Sequence, residues 1–362
     1  MTENKNKIKL LIITPTLECG GAEKYVALLC NHLNPQQFEL TVAVVNNSNP
    51  FYTINNRVTD LKTKHVRNSL FGIKALVKKY QPDIIFSTAN HLNIYLAVFR
   101  WLFPAKTIFI ARESSVVSIN SKRAKLPALY NRLIKKYYQR FNCIICQSQY
   151  MQQDLTDHYH IKKEQTVVIN NAVEQESNKI MAAAKNKFVT IARLSPEKGI
   201  DRLLHAVAGL TIPFNYHIIG EGNEMVRLKE LVDSFHLNDK VFFYGKKDKP
   251  FTGMEDASLF LMGSQYEGFP NTLLEAGALG IPVVAFNAPG GIGEILYNGE
   301  NGLLVNESGE KAFAQAIEKA LQIPFNRQQI SEHTLQRFSL QQCIEKTEHV
   351  FVQLYQQAQN GQ

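Results

Sequence analysis

The chain has 362 residues, of which 45% are hydrophobic and 20% are charged, as is typical of a soluble globular protein of about two domains. No window holds eighteen consecutive apolar residues, and residues 1–7 lack the apolar run of a signal peptide, so we expect a cytoplasmic protein without a membrane-spanning helix. The formal net charge is +8, but no nucleic-acid-binding module is visible, which argues against a nucleic-acid partner.

The first predicted strand, residues 9–14, leads through a glycine turn into a helix over residues 22–33. In an α/β domain this order places backbone N–H groups at the carboxyl edge of the sheet, where a phosphate can bind. Gly20 and Gly21 are therefore the first candidate binding residues. The turn lacks the Gly-x-Gly-x-x-Gly spacing of a dinucleotide site, so it is a weak signal on its own.

Further apolar runs predict a six-stranded parallel sheet in the first half of the chain. They are residues 40–45, 83–87, 106–110, 142–146 and 166–170. Polar residues follow two of these strands, His91 after one and Arg112 with Glu113 after the next, at the edge where α/β sites assemble. Cys143 and Cys146 have CxxC spacing but lie in an apolar run without a second ligand pair, so we expect buried thiols rather than a metal site.

A basic segment lies towards the end of this half. Residues 1–174 hold 23 Lys and Arg against 11 Asp and Glu, whereas residues 175–362 hold 17 against 21. Residues 121–141 contain no acidic residue and seven basic ones: Lys122, Arg123, Lys125, Arg132, Lys135, Lys136 and Arg140. Leucine and tyrosine residues alternate with these cations, which is typical of a basic amphipathic helix on an anionic membrane surface. The alternative is an ordinary helix with a solvated face.

The second half begins after a polar segment, residues 174–187, which we interpret as an interdomain linker. The next predicted strand ends in Arg193, and Lys198 follows in the same turn. A guanidinium fork and an ammonium group that bracket one turn can clamp a diphosphate. A second glycine turn, at Gly220 and Glu221, follows the next strand, and we expect a nucleotide base near it.

Residues 258–286 form a predicted strand, loop, helix, turn and strand. The loop and the first helical turn present unpaired N–H groups at a positive helix end, which suits a phosphate. A carboxylate stands on each side, Glu267 in the loop and Glu275 on the helix. Because a nucleotide sugar is a ribose diol, a diphosphate and a sugar polyol in a row, the amides could hold the diphosphate while the carboxylates bind the polyols. The other candidate donor-binding residues here are Phe269, Pro270, Asn271, Thr272 and Leu273.

Residues 267–275, Glu-Gly-Phe-Pro-Asn-Thr-Leu-Leu-Glu, resemble the signature of the retaining GT-B glycosyltransferases of family 4, which act on bacterial cell-surface polysaccharides and lipid-linked glycans. The Arg193 to Lys198-Gly element resembles the same family. The resemblance implies that Glu267 contacts the donor sugar, that Glu275 contacts the ribose, and that Arg193 and Lys198 bind the diphosphate. It also implies that His91 lies close to the transferred sugar.

The resemblance further implies two facing Rossmann-like domains with a cleft between them. The first, residues 1–173, would bind the acceptor, on a side that includes Arg112 and Glu113, and a terminal helix, residues 340–362, would pack back on it. The second, residues 188–339, would bind the donor. The expected reaction moves a hexose or N-acetylhexosamine from a UDP-sugar, with retention, to a lipid-linked glycan, on the inner face of the plasma membrane.

No Asp-x-Asp sequence occurs in the chain, so we expect no metal or other cofactor. Arg193, Lys198 and the helix amides would neutralise the leaving group instead. Two alternatives stay open. One is a nucleotide-sugar epimerase on the same frame, for which His91 could be the base, and the other is a non-catalytic protein that binds nucleotide sugars.

Overall fold

The structure is a computed structural model that describes residues 7–174, 180–307 and 309–360. The chain divides into two compact units, Met1–Asn171 with Gln341–Gln362, and Ala172–Leu340. We call them the first and the second domain. Neither the described part of the first domain nor that of the second contains a helix long and apolar enough to cross a membrane.

The first domain is built on a seven-stranded parallel sheet with the order β3-β2-β1-β4-β5-β6-β7. Its strands are β1 Ile8–Thr14, β2 Phe38–Val44, β3 Val58–Asp60, β4 Ile84–Thr88, β5 Ile108–Arg112, β6 Cys143–Cys146 and β7 Thr166–Val168. The predicted sheet lacked β3, because this edge strand is only three residues long and leaves no apolar run. Strand β5 ends two residues later than predicted, so Arg112 belongs to the sheet and not to the loop after it.

Helices cover both faces of this sheet, which explains why its central strands are apolar throughout. They are α1 Gly21–His32, α2 Leu70–Tyr80, α3 Asn90–Val98, α4 Val117–Lys122, α5 Pro127–Tyr137 and α6 Gln149–Tyr159. Successive residues of β4 serve opposite faces, as the two-residue period of a strand requires. Ile85 belongs to the core shared with Ile73 of α2 and Ile134 of α5, whereas the ring of Phe86 contacts Tyr25 of α1. Cys143 and Cys146 are buried free thiols, as predicted.

The second domain contains a six-stranded parallel sheet with the order β10-β9-β8-β11-β12-β13. The strands are β8 Lys187–Ile191, β9 Asn215–Ile219, β10 Val241–Phe243, β11 Leu259–Met262, β12 Val283–Phe286 and β13 Gly302–Val305. The helices are α7 Ile200–Ala208, α8 Met225–Ser234, α9 Asn271–Ala278, α10 Ile292–Ile295, α11 Glu310–Gln322 and α12 Arg327–Arg337. Two parallel-sheet α/β domains confirm the predicted fold class.

The strand order of each sheet reverses at one point, between β1 and β4 in the first domain and between β8 and β11 in the second. Ligands of open α/β sheets bind outside the carboxyl ends of the strands at such a switch point. The loops at these points carry most of the predicted site residues.

The predicted interdomain linker, residues 174–187, includes residues 175–179, which lie outside the described residues.

The last helix, α13 Leu340–Asn360, packs on the same face of the first sheet as α1. Thr347 shares a 2.8 Å hydrogen bond with the hydroxyl of Tyr25. The ring of Phe351, which is fully buried, lies edge-on to Phe86 and Phe38 at centroid distances of 5.6 and 6.0 Å. The C-terminal helix therefore supplies part of the core under strands β2 and β4.

We expect Phe351→Ala to destabilise the first domain by about 3–5 kcal/mol, because it leaves a cavity between the rings of Phe38 and Phe86. Amide hydrogen exchange of strands β1, β2 and β4 measures the loss. Phe71→Ala is the matched control, since Phe71 is 84% exposed on α2 and should change exchange by less than about 0.5 kcal/mol. Equal protection in both variants would show that α13 does not contribute to this core.

Candidate functional site

The predicted donor site in the second domain depends on two loops that touch backbone to backbone. Gly199 has φ +59°, and a Cβ on it would lie 2.1 Å from the carbonyl oxygen of Gly263; a Cβ on Gly263 would lie 2.3 Å from the oxygen of Gly199. Only glycine permits this approach at both positions. The loops after β8 and β11 are thereby held together at the switch point of the sheet.

This approach brings Lys198 and Glu267 into contact, as part of a polar cluster. The ammonium Nζ of Lys198 lies 2.6 Å from Oε1 of Glu267, and the hydroxyl of Ser264 donates to the same oxygen at 2.6 Å. The two charged side chains are only 21% and 12% exposed. Both of these donors bind Oε1, and no hydrogen bond of the described residues reaches Oε2, so Oε2 keeps its capacity to accept hydrogen bonds.

A third loop, after β12, fixes the backbone of Glu267. The N–H of Glu267 donates to the carbonyl of Pro289 at 3.0 Å, and the N–H of Gly291 donates to that of Gly268 at 2.9 Å. A Cβ on Gly290, which has φ +120°, would lie 1.5 Å from the carbonyl oxygen of Glu267. The Pro-Gly-Gly sequence therefore allows this loop to form a bridge with the residue that carries the carboxylate.

Helix α9 begins four residues after Glu267, and no side chain in the described part of the chain caps its N-terminus. Its first backbone N–H groups, at Asn271 and Thr272, lie at the positive end of the helix dipole, as a phosphate site requires. Pro270 occupies the N-cap position, directly before Asn271, the first residue of the helix. Phe269 packs against Phe338 at 5.5 Å.

The side chains of Phe269 and Leu273 are buried at 3% and 1% exposure, and Pro270 is also buried. Of the candidate donor-binding residues in this turn, these three therefore offer backbone groups only. Their side chains belong to the core that anchors the helix. Glu275 lies one turn further along α9 and is half-buried.

Arg193 and Lys198, the two cations that we expect to bind a diphosphate, lie on either side of an acidic residue, Glu197, that the sequence analysis missed. Arg193 is exposed, and Glu197 accepts a 2.6 Å hydrogen bond from Ser195. Burial raises the pKa of Glu197, but hydrogen bonds and the charges of Arg193 and Lys198 outweigh it and lower this pKa below its ordinary value. Glu197 therefore screens the repulsion between two cations. Its position between them in the sequence was the available signal.

Gly220 and Glu221 line the neighbouring loop, after β9. A Cβ on Gly220, at φ +146°, would lie 1.8 Å from the carbonyl oxygen of Ala192. The carbonyl of Glu221 accepts the N–H of Leu194 at 2.9 Å. These contacts fix the start of the loop after β8, which carries Arg193 and Lys198. The side chain of Glu221 is exposed.

The first domain places its candidates at its own switch point. Gly20 is the N-cap of α1, and the carboxylate of Glu23 folds back over it, close enough that a Cβ on Gly20 would lie 2.3 Å from Oε2. His91 lies in the first turn of α3, with an exposed edge. Desolvation by the surrounding atoms lowers the pKa of this histidine, which favours the neutral imidazole near pH 7. Gly21 is exposed.

Two candidates of the first domain, Arg112 and Glu113, need correction. Arg112 and Glu113 are both fully buried, so their side chains do not face an acceptor. Because β5 extends through Arg112, its guanidinium stacks on the ring of Tyr25 at 3.6 Å. Arg140 is exposed, and its guanidinium donates to the carbonyl oxygens of Ala97 and Val98 at the end of α3, at 3.2 and 3.0 Å.

Family models match both domains of the chain. Residues 19–177 match the model "Glycosyltransferase Family 4", and residues 172–337 match "Glycosyl transferases group 1". The two matches adjoin and together span most of the chain, so the chain belongs to the GT-B glycosyltransferases of family 4. It is therefore a glycosyltransferase by family.

Individual relatives agree with this assignment. The chain is 27% identical over 331 residues to a Campylobacter jejuni enzyme named N-acetylgalactosamine-N,N'-diacetylbacillosaminyl-diphospho-undecaprenol 4-alpha-N-acetylgalactosaminyltransferase, covering 87% of this chain and 90% of the relative. It is 22% identical over 328 residues to the amylovoran biosynthesis glycosyltransferase AmsD of Erwinia amylovora, covering 86% and 89%.

Solved structures share the fold. The lipopolysaccharide outer core galactosyltransferase WaaB superposes with a TM-score of 0.77 at 16% identity, covering 96% of this chain and 99% of that one. Anabaena Alr3699/HepE in complex with UDP-glucose superposes with a TM-score of 0.78 at 18% identity, covering 96% and 100%.

We expect Lys198→Ala to weaken UDP binding by about 10- to 100-fold, since it removes a charged donor worth about 1.5–3 kcal/mol. Isothermal titration calorimetry measures the dissociation constant. Lys187→Ala is the matched control, because Lys187 forms a comparable 2.5 Å ion pair with Asp256 at the opposite, amino end of β8. Equal affinity of both variants for UDP would remove Lys198 from the diphosphate site.

Proposed function

We propose that this protein transfers a hexose or N-acetylhexosamine from a UDP-sugar, with retention at the anomeric carbon, to a lipid-linked glycan in cell-envelope polysaccharide or glycoconjugate synthesis. The observation that carries the proposal is the ion pair of Lys198 and Glu267 at 2.6 Å, beside the uncapped N-terminus of α9. A cation, a carboxylate and free amides then meet at one switch point, and they match a diphosphate attached to a sugar.

A UDP donor is supported by the chemistry of this site. Arg193, Lys198 and the first amides of α9 are donors for the four phosphate oxygens that carry the negative charge. One oxygen of Glu267 and the carboxylate of Glu275 would accept hydrogen bonds from the sugar and ribose hydroxyls. The HepE structure that shares this fold is a complex with UDP-glucose, which supports the same class of donor here.

Two mechanisms can give retention: departure of UDP from the face that the acceptor attacks, or a covalent glycosyl-enzyme intermediate on Glu267. The hydrogen bonds of Glu267 support the first. A carboxylate whose Oε1 binds both an ammonium and a hydroxyl is a weak nucleophile. In the proposed step, the bond from the anomeric carbon to the β-phosphate oxygen breaks, and its electron pair leaves with UDP. The acceptor oxygen bonds to the same face of that carbon, and its proton passes to the departing phosphate oxygen. Lys198 and Arg193 stabilise the charge that develops there.

This arrangement gives the charge stabilisation that a metal ion supplies in other transferases. We therefore propose that the reaction needs no metal or other cofactor. His91, neutral near pH 7, would lie on the acceptor side and donate a hydrogen bond to the transferred sugar.

A lipid-linked acceptor and a peripheral position on the inner face of the plasma membrane are supported by the surface around α5. Leu126 and Leu129 are 65% and 50% exposed, beside exposed cations that an anionic lipid surface would attract. These cations are Lys122, Arg123, Lys125, Arg132, Lys135 and Lys136. The name of the Campylobacter relative specifies a diphospho-undecaprenol substrate, which supports the same acceptor class for this chain.

The donor proposal is tested by incubating the protein with a panel of UDP-sugars and a polyprenyl-diphosphate glycan, with product analysis by mass spectrometry and anomeric NMR. We expect one α-linked sugar added from an α-linked donor, with EDTA having no effect. Glu267→Gln should lower kcat by about 10²- to 10³-fold and leave the affinity for UDP within about threefold of the wild type. An inverted product, or donor conversion without acceptor, would contradict the transferase mechanism.

The membrane proposal is tested by co-sedimentation with liposomes of anionic and of neutral lipids. We expect binding to anionic vesicles at low salt, and replacement of Arg132, Lys135 and Lys136 by glutamate should abolish it, since each basic residue contributes about 1 kcal/mol. The matched control replaces three exposed lysines of α2, Lys74, Lys78 and Lys79, with the same change in charge. Equal loss in both triple variants would assign binding to net charge and contradict a specific α5 surface.

A further inference from the structure

The turn that carries His91 has an unfavourable backbone conformation. Ala89, the N-cap of α3, has φ 72° and ψ 125°, in the left-handed half of φ space that residues with a Cβ rarely adopt. Within the described residues, no side-chain hydrogen bond caps the N-terminus of this helix. Such a conformation persists only where surrounding contacts hold it, so something other than local propensity fixes the orientation of His91.

Those contacts converge on Glu113, at the end of β5. Its Oε1 accepts hydrogen bonds from Nδ2 of Asn93 and from the hydroxyl of Tyr138, both at 2.7 Å, and its Oε2 accepts from Nδ2 of Asn90 at 3.1 Å. Asn90 and Asn93 flank His91 within the first turn of α3. The carboxylate therefore holds the turn at a point on either side of the histidine.

The same two amides are fixed at their other ends. The oxygen of Asn93 accepts a 2.7 Å hydrogen bond from Ser87 of β4, and the oxygen of Asn90 accepts one from the hydroxyl of Tyr130 on α5. Each amide is thus held in one orientation. The chain of hydrogen bonds runs from α5, through Asn90 and Glu113, to the turn that carries His91.

Glu113 has a feature that a purely structural residue would not need. Its side chain is fully buried, and no cation of the described residues is in hydrogen-bond contact with it, because the guanidinium of Arg112 lies on the opposite face of β5, over Tyr25. A buried carboxylate is costly unless its hydrogen bonds are satisfied. Three neutral donors satisfy it here, and two of them belong to the turn of His91.

We propose that Glu113 is a positioning residue, which holds the first turn of α3 in the conformation that presents His91 to the transferred sugar. The inference rests on the proposed function, since it requires that His91 contacts this sugar. It assigns Glu113 a role through His91 rather than direct contact with substrate.

The arrangement predicts a pH dependence. Burial raises the pKa of Glu113 to about 7, although its three hydrogen-bond donors and Arg112 lower it. The other titratable groups around it are Tyr130, Tyr138, Cys146 and Tyr159, and burial raises the pKa of each. Below about pH 7 the carboxyl group is protonated and neutral, so it accepts the hydrogen bonds of the two asparagine amides more weakly and its hold on the turn decreases. We therefore expect kcat to fall as the pH decreases through 7.

A double-mutant cycle tests the proposal. We expect Glu113→Gln to lower kcat about tenfold and His91→Ala about 100-fold, and Glu113→Gln to have less than a twofold effect in the His91→Ala background. The affinity for UDP alone should not change. Additive losses would overturn the positioning role, whereas an unaffected kcat in His91→Ala would instead contradict the proposed function of His91.

The pH profile and a milder variant complete the test. Glu113→Gln cannot titrate, so the decrease in kcat through pH 7 should disappear in this variant, and its persistence would contradict the proposal. If Glu113→Gln does not fold, as judged by circular dichroism, Tyr138→Phe removes a single donor from Oε1. That variant should lower kcat by about two- to fivefold in the wild type and not at all with His91→Ala.

Discussion

The backbone contact between Gly199 and Gly263 is the constraint on which the second domain's site depends. A Cβ on either residue would lie within 2.3 Å of the other's carbonyl oxygen. Without this approach the loops after β8 and β11 would stand apart, and Lys198 could not reach Glu267, which is 69 positions later in the chain. The bridge between Glu267 and Gly290 adds the third loop. Backbone geometry therefore brings the two charged side chains within reach of each other.

The two domains hold their candidate site residues in place by different contacts. In the second, glycines bring loops together and leave a charge pair partly exposed, at 21% and 12%. In the first, a fully buried carboxylate, Glu113, gathers neutral donors around an unfavourable turn. The arrangement in the second domain suits a charged ligand, since cations and amides remain available to phosphates. The buried carboxylate of the first domain contributes no charge at the surface and instead fixes the geometry of the turn that carries His91.

Much of this could be predicted from the sequence, for identifiable reasons. Apolar runs predicted the parallel sheet of the first domain, because buried parallel strands are apolar on both faces, and the resemblance to family 4 implied a second domain of the same kind. The pairing of Lys198 with Glu267 could not be predicted, since it depends on how closely two loops approach. Arg112 and Glu113 were expected on the acceptor side because polar residues after a strand usually lie in a loop. Strand length and burial are set by tertiary packing, and they place both side chains inside the first domain.

The most direct test of the account is a crystal structure of the protein with UDP. We predict that the diphosphate binds in the second domain, with its oxygens within about 3.2 Å of Arg193, Lys198 and the amides of Asn271 and Thr272, and with the ribose at Glu275. The second domain also contains a cavity of ≈ 470 Å³ lined by residues that include Tyr297, His333 and Arg337. UDP bound in that cavity, with Lys198 and the N-terminus of α9 unoccupied, would contradict the assignment of the donor site.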